Sequence, residues 1–186
     1  MPERKDRVCP VALHRSLNNP VRKLIHNPKK ILGKYIREGD IAIDIGCGPG
    51  FFTIPMAELT GRTGKTIAAD LQQGMLDIIG KKIQNKPIQK SIILHRTTET
   101  SLNLALKADF ALLFYMVHEV PNREELFHQV RTTMKPTGKV LVIEPPVHVT
   151  KKDFEETKQA ARKAGFRVEE GPKLFLDRTA VLIPSE

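Results

Sequence analysis

The 186 residues are the size of one domain, and 40% hydrophobic with 27% charged side chains is the composition of a globular chain, not a disordered one. The longest apolar run, residues 110–117, falls far short of the roughly 18 residues that cross a bilayer. The charged start MPERKDRVCP leads into no apolar stretch, and Cys9 and Cys47 form no CxxC pair, so a cytoplasmic chain without leader or disulfide framework is expected.

The net charge of +9 invites an anionic partner such as nucleic acid. It is unevenly spread. Residues 1–40 hold 10 basic and 4 acidic side chains, whereas residues 41–186 hold 20 and 17.

Residues 1–27 are polar, basic and broken by Pro10 and Pro20; they read as an N-terminal extension and a candidate substrate lid, with the folded domain spanning 28–186. A short helix is expected over Lys29–Ile36. Ile41–Ile45 is a buried first strand, and Phe51–Leu59 a helix closed by Gly61. Pro55 is tolerable there in the first turn, where its missing N–H has no partner to lose. Lys65–Asp70 is the second strand. Met75, Ile78, Ile79 and Ile83 then mark one face of a helix ending before Pro87.

Ser91–His95 and Asp109–Tyr115 read as the third and fourth strands. Asn122 and Glu125 open a helix with Leu126, Val130 and Met134 on one stripe, stopped by Pro136. Lys139–Glu144 is the fifth strand, and Thr150 with Asp153 caps a helix ending at Gly165. Phe166–Glu170 and Leu174–Ile183 are two closing strands with no helix between them, so they should pair antiparallel. Strands alternating with helical patterns predict an α/β fold with a mostly parallel sheet and helices on both faces.

The run Asp44-Ile45-Gly46-Cys47-Gly48-Pro49-Gly50 closes the first strand. Glycines there allow a sharp turn and a close ligand approach, as in nucleotide-binding folds. The G-x-G-x-G spacing and the acidic Asp44 disfavour a diphosphate and hence a nicotinamide-dependent oxidoreductase. A carboxylate repels phosphate and attracts an ammonium group. Asp70, ending the second strand, stands where such folds hold a ribose diol. The implied ligand is a nucleoside with a cationic end and no phosphate, which S-adenosylmethionine fits.

DIGCGPG at 44–50, AADLQQGML at 68–76, ADFALLFYMVHEV at 108–120, MKPTGKVLVIEP at 134–145 and KAGF at 163–166 follow one another in an order that resembles the class I S-adenosylmethionine-dependent methyltransferases, of the small type-11-like group. The resemblance implies a Rossmann-like seven-stranded sheet ordered 3-2-1-4-5-7-6 with strand seven antiparallel. It implies that Asp44, Gly46, Cys47, Gly48 and Gly50 hold the methionine moiety, that Asp70 binds the ribose, and that Leu71 and Met75 flank the adenine. Phe114 and Tyr115 would line the methionine side. The position that accepts a hydrogen bond from the adenine amino group falls at Thr98, with Glu99 one residue on as the alternative.

The acceptor side is less defined. His118 and Glu119 follow the fourth strand with Tyr115, and His148 follows the fifth, at the strand ends where open α/β sheets bind ligands. Methyl transfer needs alignment above all, and a base only when the acceptor sheds a proton; these four residues are the catalytic candidates. No cluster has metal-ligand spacing, and no metal is expected. The expected acceptor is a small molecule. RNA held by the basic arm is the alternative, although no Asn-Pro-Pro-Tyr type signature follows the fourth strand, and a non-catalytic cofactor-binding protein is the third reading.

Overall fold

A computed structural model describes residues 26–185. Most of the basic N-terminal extension, including Cys9, lies outside the described residues; His26 and Asn27 fall within them.

The elements in chain order are α1 (Pro28–Leu32), β1 (Ile41–Ile45), α2 (Thr53–Thr60), β2 (Lys65–Asp70), α3 (Gln73–Ile83), β3 (Ile92–Arg96), β4 (Ala108–Phe114), α4 (Arg123–Thr133), β5 (Met134–Glu144), α5 (Lys151–Lys163), β6 (Phe166–Glu170) and β7 (Arg178–Pro184). Single 3-10 turns at Pro87–Ser91 and Val117–Glu119 complete the chain. The sheet order is β3-β2-β1-β4-β5-β7-β6. β7 runs antiparallel to both β5 and β6, as expected for two strands joined without a helix.

Alternation along the strands sorts the side chains into two cores. Ile43, Ile45, Ile67, Leu113, Val140 and Val142 face Leu126, Phe127 and Val130 of α4 and Phe154 and Ala161 of α5. On the opposite face Ala42, Phe110, Leu112 and Ile143 meet Leu32 of α1 and Met56 of α2. A smaller group under α3 joins Leu76, Ile79 and Ile83 to Ala68 and Ile92. Strands buried on both faces need helices on both faces, which the βαβ crossovers supply.

Several element limits differ from the sequence reading. The first helix ends at Leu32 rather than Ile36, because Gly33 caps it and the chain turns through Tyr35. Helix α4 ends at Thr133, short of Pro136, since Met134 already pairs with Ala108; Pro136 sits where the β4–β5 register shifts between Ala108 and Phe110. Such an irregular stretch spares a proline the loss of a ladder bond. The last strand begins at Arg178 rather than Leu174. Asp177 N–H bonds back to the Leu174 carbonyl at 2.8 Å, and Phe175 takes φ +41°, a turn no strand can contain.

The chain reverses its direction of travel across the sheet between β1 and β4, which are hydrogen-bonded neighbours. Two connections leaving neighbouring strand ends in opposite directions open a crevice beyond their carboxyl ends. The glycine turn after β1 and the segment after β4 therefore face one another. Among the described residues no helix is long and apolar enough to cross a membrane.

Phe127 is fully buried and meets the Phe166 ring edge-on. Phe127→Ala should cost about 3–5 kcal/mol in urea unfolding. Ile93→Ala, at a side chain 48% exposed on edge strand β3, should stay within about 0.5 kcal/mol of the parent.

Candidate functional site

The glycine turn is held from beneath by buried carboxylates. Asp44, 2% exposed, accepts the Thr53 hydroxyl proton at 2.6 Å, tying the end of β1 to the first turn of α2. Asp70, 8% exposed, takes the Gly48 N–H on Oδ2 at 2.9 Å and the Gln72 N–H on Oδ1 at 2.8 Å. The turn also hangs from β2 directly, since Gly46 N–H donates to the Ala69 carbonyl. From the outside, Lys82 Nζ of α3 donates to the Pro49 carbonyl at 2.5 Å.

Burial dominates the electrostatics. It pushes the Asp44 carboxyl up to about 7, against the Thr53 hydrogen bonds and reinforced by the nearby Asp70 charge. Burial raises Asp70 too, opposed by the backbone N–H groups of Gln72, Gly48 and Leu71. Cys47, between them, is buried, and burial together with both carboxylate charges lifts its thiol well above the usual range. A thiol held so protonated is a small filler and not a nucleophile.

The other predicted residues separate into two groups. Phe114 and Tyr115 reach the crevice from β4, their rings stacked at 4.1 Å, and Phe114 packs against Phe52 at 4.5 Å. Leu71 is half-buried beside Asp70, and Met75 is buried in α3. Thr98 and Glu99 are exposed, and Thr98 closes its own loop: its N–H donates to the Ser101 carbonyl, while its hydroxyl oxygen receives the Ser101 N–H at 3.0 Å.

His118 stands on the 3-10 turn after β4. Its Nδ1 lies 2.6 Å from Glu144 Oε2, while Glu144 Oε1 accepts the Val117 N–H at 3.0 Å. Glu144 is 1% exposed, so both of its oxygens serve this one turn. Burial lowers the His118 imidazole, but the hydrogen bond and charge of Glu144, with the Glu119 charge behind them, outweigh it and raise it above its ordinary 6.5. The exposed His148 ring stacks on His118 at 6.0 Å with an interplanar angle of 12°. Glu119 is half-buried beside them.

Sequence reasoning missed Glu144, Thr53, His26 and Asp177. Glu144 carried the same signal as Asp44, an acidic residue closing an apolar strand. Thr53 lay within reach of the motif, nine positions after Asp44. The His26–Asp177 contact spans 151 residues and left no local trace.

A family model described as a methyltransferase domain matches residues 42–138, just over half of the chain. The chain belongs to the class I S-adenosylmethionine-dependent methyltransferases. This methyltransferase is 32% identical to the demethylmenaquinone methyltransferase of Lactobacillus johnsonii over 110 residues, covering 59% of this chain and 45% of that protein. With the demethylmenaquinone methyltransferase of Oceanobacillus iheyensis it shares 28% identity over 109 residues, 59% of this chain and 46% of the relative. The match thus spans about half the length of these curated relatives. A crystal structure of an S-adenosylmethionine-dependent methyltransferase from Aquifex aeolicus aligns with a TM-score of 0.78 at 22% identity, covering 94% of this chain and 97% of that one. A likeness at that identity speaks for the fold.

The turn fits the family's methyl donor on its own chemistry. Gly48 has φ +50°, and a Cβ built there would meet nothing within 4 Å; at Gly46 and Gly50 it would strike the Met116 and Ile79 side chains at 2.9 Å. Gly46 and Gly50 are thus required by packing, whereas Gly48 faces open room for a ligand. Beside that room stand two carboxyls that burial makes reluctant to ionise, and an arriving cation relieves that cost.

The sign of the Asp44 effect is open to measurement. A carboxyl raised on folding costs stability as pH climbs from about 4 to about 7, at about 1.4 kcal/mol per pH unit, and the cost is then constant. Asp44→Asn keeps an oxygen for the Thr53 hydroxyl and removes the charge. In the absence of ligand it should therefore melt higher than the parent at pH 8 and no higher at pH 4.

Proposed function

We propose that this methyltransferase acts on a small-molecule acceptor that gives up a proton as it is methylated, with His118 as the base. The observation that carries the reading is the buried Glu144 carboxylate, which holds His118 by Nδ1 at the carboxyl end of β4. A carboxylate only accepts hydrogen bonds, so Nδ1 carries the proton and Nε2 keeps a lone pair, the tautomer a general base requires. The curated relatives are named for demethylmenaquinone, a small molecule, which supports the same class of acceptor.

In this reading Asp44 and the turn Gly46, Cys47, Gly48 and Gly50 receive the methionine end of S-adenosylmethionine, and Asp70 its ribose, with Leu71 and Met75 toward the base. Thr98 or Glu99 meets the adenine amino group. Bound there, S-adenosylmethionine supplies a methyl group on a sulfonium, open to in-line attack. The chain's part is to align the acceptor, exclude water and take the proton on His118. Glu144 steadies the resulting imidazolium, with Glu119 adding charge and His148 covering the ring. Residues 1–27 form the extension that covers the acceptor, and 28–186 the catalytic domain.

His118→Gln should leave S-adenosylmethionine affinity by calorimetry unchanged and lower turnover by about 10²-fold or more, the usual worth of a positioned base. In the parent, turnover should rise with pH to a midpoint above 6.5, because the neutral imidazole is the active form. Glu144→Gln should move that midpoint down. A midpoint that ignores Glu144, or full activity without His118, removes the base role.

Cofactor affinity carries its own pH signature. It should strengthen as pH rises toward about 7 and Asp44 ionises, and Asp44→Asn should flatten the profile. Deleting residues 1–25, which spares His26, should impair turnover more than cofactor binding; unchanged turnover removes the covering role. RNA binding that falls steeply with salt would transfer the proposal from a small molecule to RNA.

A further inference from the structure

His26, Tyr115 and Asp177 converge at the same edge of the sheet from three remote parts of the chain. His26 is 5% exposed, with Nε2 at 2.5 Å from Asp177 Oδ2. The Tyr115 hydroxyl donates to Asp177 Oδ1 at 2.6 Å and lies 3.4 Å from His26 Nε2. The carboxylate accepts from both partners, so Nε2 carries a proton and Nδ1 is left over. Nδ1 is buried without a hydrogen-bond partner, and no other side-chain nitrogen or oxygen among the described residues shares that condition. An unpaired buried polar atom is costly, and natural structures rarely carry one without a reason.

The surroundings describe the missing partner. Phe114 and Tyr115 meet the imidazole edge-on at 5.4 and 5.8 Å, and Phe114 leads through Phe52 to the glycine turn. Met116, next to Tyr115, packs directly on Gly46. Tyr115 holds φ +56°, a strained left-handed conformation of the kind found at functional sites. The 171–177 loop that delivers Asp177 leaves Phe175 and Leu176 exposed at 80% and 64%. Val147, 85% exposed, follows β5, whose Glu144 pairs with Arg178 beside Asp177. Convergent polar groups set among aromatic side chains are the usual make-up of small-molecule sites.

We propose that His26 Nδ1 is a specificity-determining group that accepts a hydrogen bond from a hydroxyl or amine on the methyl acceptor. Asp177 fixes the tautomer and Tyr115 shares the carboxylate. The acceptor is then an apolar body bearing an O–H or N–H donor, reaching Nδ1 as the exposed Phe175 and Leu176 side chains move aside and Asp177 keeps its place. The assignment rests on the small-molecule reading above and leaves proton removal to His118.

The test uses histidine-¹⁵N-labelled full-length protein saturated with S-adenosylhomocysteine and titrated to millimolar phenol or anisole. Phenol carries the O–H that anisole lacks. Phenol should move the His26 Nδ1 resonance upfield and anisole should not. His26→Gln, whose amide still reaches Asp177, should melt like the parent and bind phenol no better than anisole. Phenol and anisole acting alike at His26, or His26→Gln keeping the preference, overturns the proposal. The His118→Gln protein should show the parent's phenol shift, so failure of the base role and failure of this one are separately visible.

Discussion

A carboxylate taken out of water at the end of a strand must find donors, and the carboxyl edge of this sheet is organised around that demand. Asp44, Asp70 and Glu144 are all buried there, closing β1, β2 and β5. Each recruits the segment that follows or faces it: Asp44 takes the Thr53 hydroxyl, Asp70 the backbone of Gly48 and Gln72, and Glu144 the Val117 N–H and the His118 ring. A buried carboxyl whose oxygens are met by donors fixes loop geometry more tightly than apolar packing, because a wrong arrangement leaves a polar group unpaired. The loops of the crevice are positioned by charges that would be costly anywhere else.

The two halves of the crevice are built by different kinds of contact. The glycine turn mixes short and longer spans: Asp44 and Thr53 are nine positions apart and Asp70 reaches Gln72 two positions on, while Asp70 reaches Gly48 across 22 and Lys82 reaches Pro49 across 33. The acceptor half is assembled at long range, His118 with Glu144 across 26 positions and His26 with Asp177 across 151. Residues 42–138 include Asp44, Asp70 and His118 but stop before Glu144 and Asp177 and begin after His26.

The same division explains what could be read without coordinates. The pairing of the last two strands was legible because there is no room for a helix between them, and the strand order because the motifs resemble those of the family. Asp44 and Asp70 were legible because a carboxylate closing an apolar strand is costly to bury unless a donor or a ligand offsets the loss of water. Glu144 gave an equivalent signal at the end of the expected fifth strand, but Pro145 and Pro146 follow it where a glycine turn would have marked a ligand. The Leu174 boundary failed for a physical reason: Leu-Phe-Leu is strand-like by composition, and the left-handed Phe175 is set by the tertiary partners of Asp177. Contacts formed at such separation leave no periodicity behind.

Strand β7 is the one reversed member of the sheet, and its direction has a consequence for how the enzyme can diversify. A parallel strand offers the reactive edge a loop that must climb into a helix and return, so its length and exit angle are bound to the core. The β6–β7 connection is a hairpin end secured by the Thr179 hydroxyl on the Pro172 carbonyl, with no helix behind it. Insertions or exchanges there can alter this end of the sheet while the crossovers, the core and the glycine turn stay as they are. The reversal gives an otherwise conservative scaffold a replaceable part.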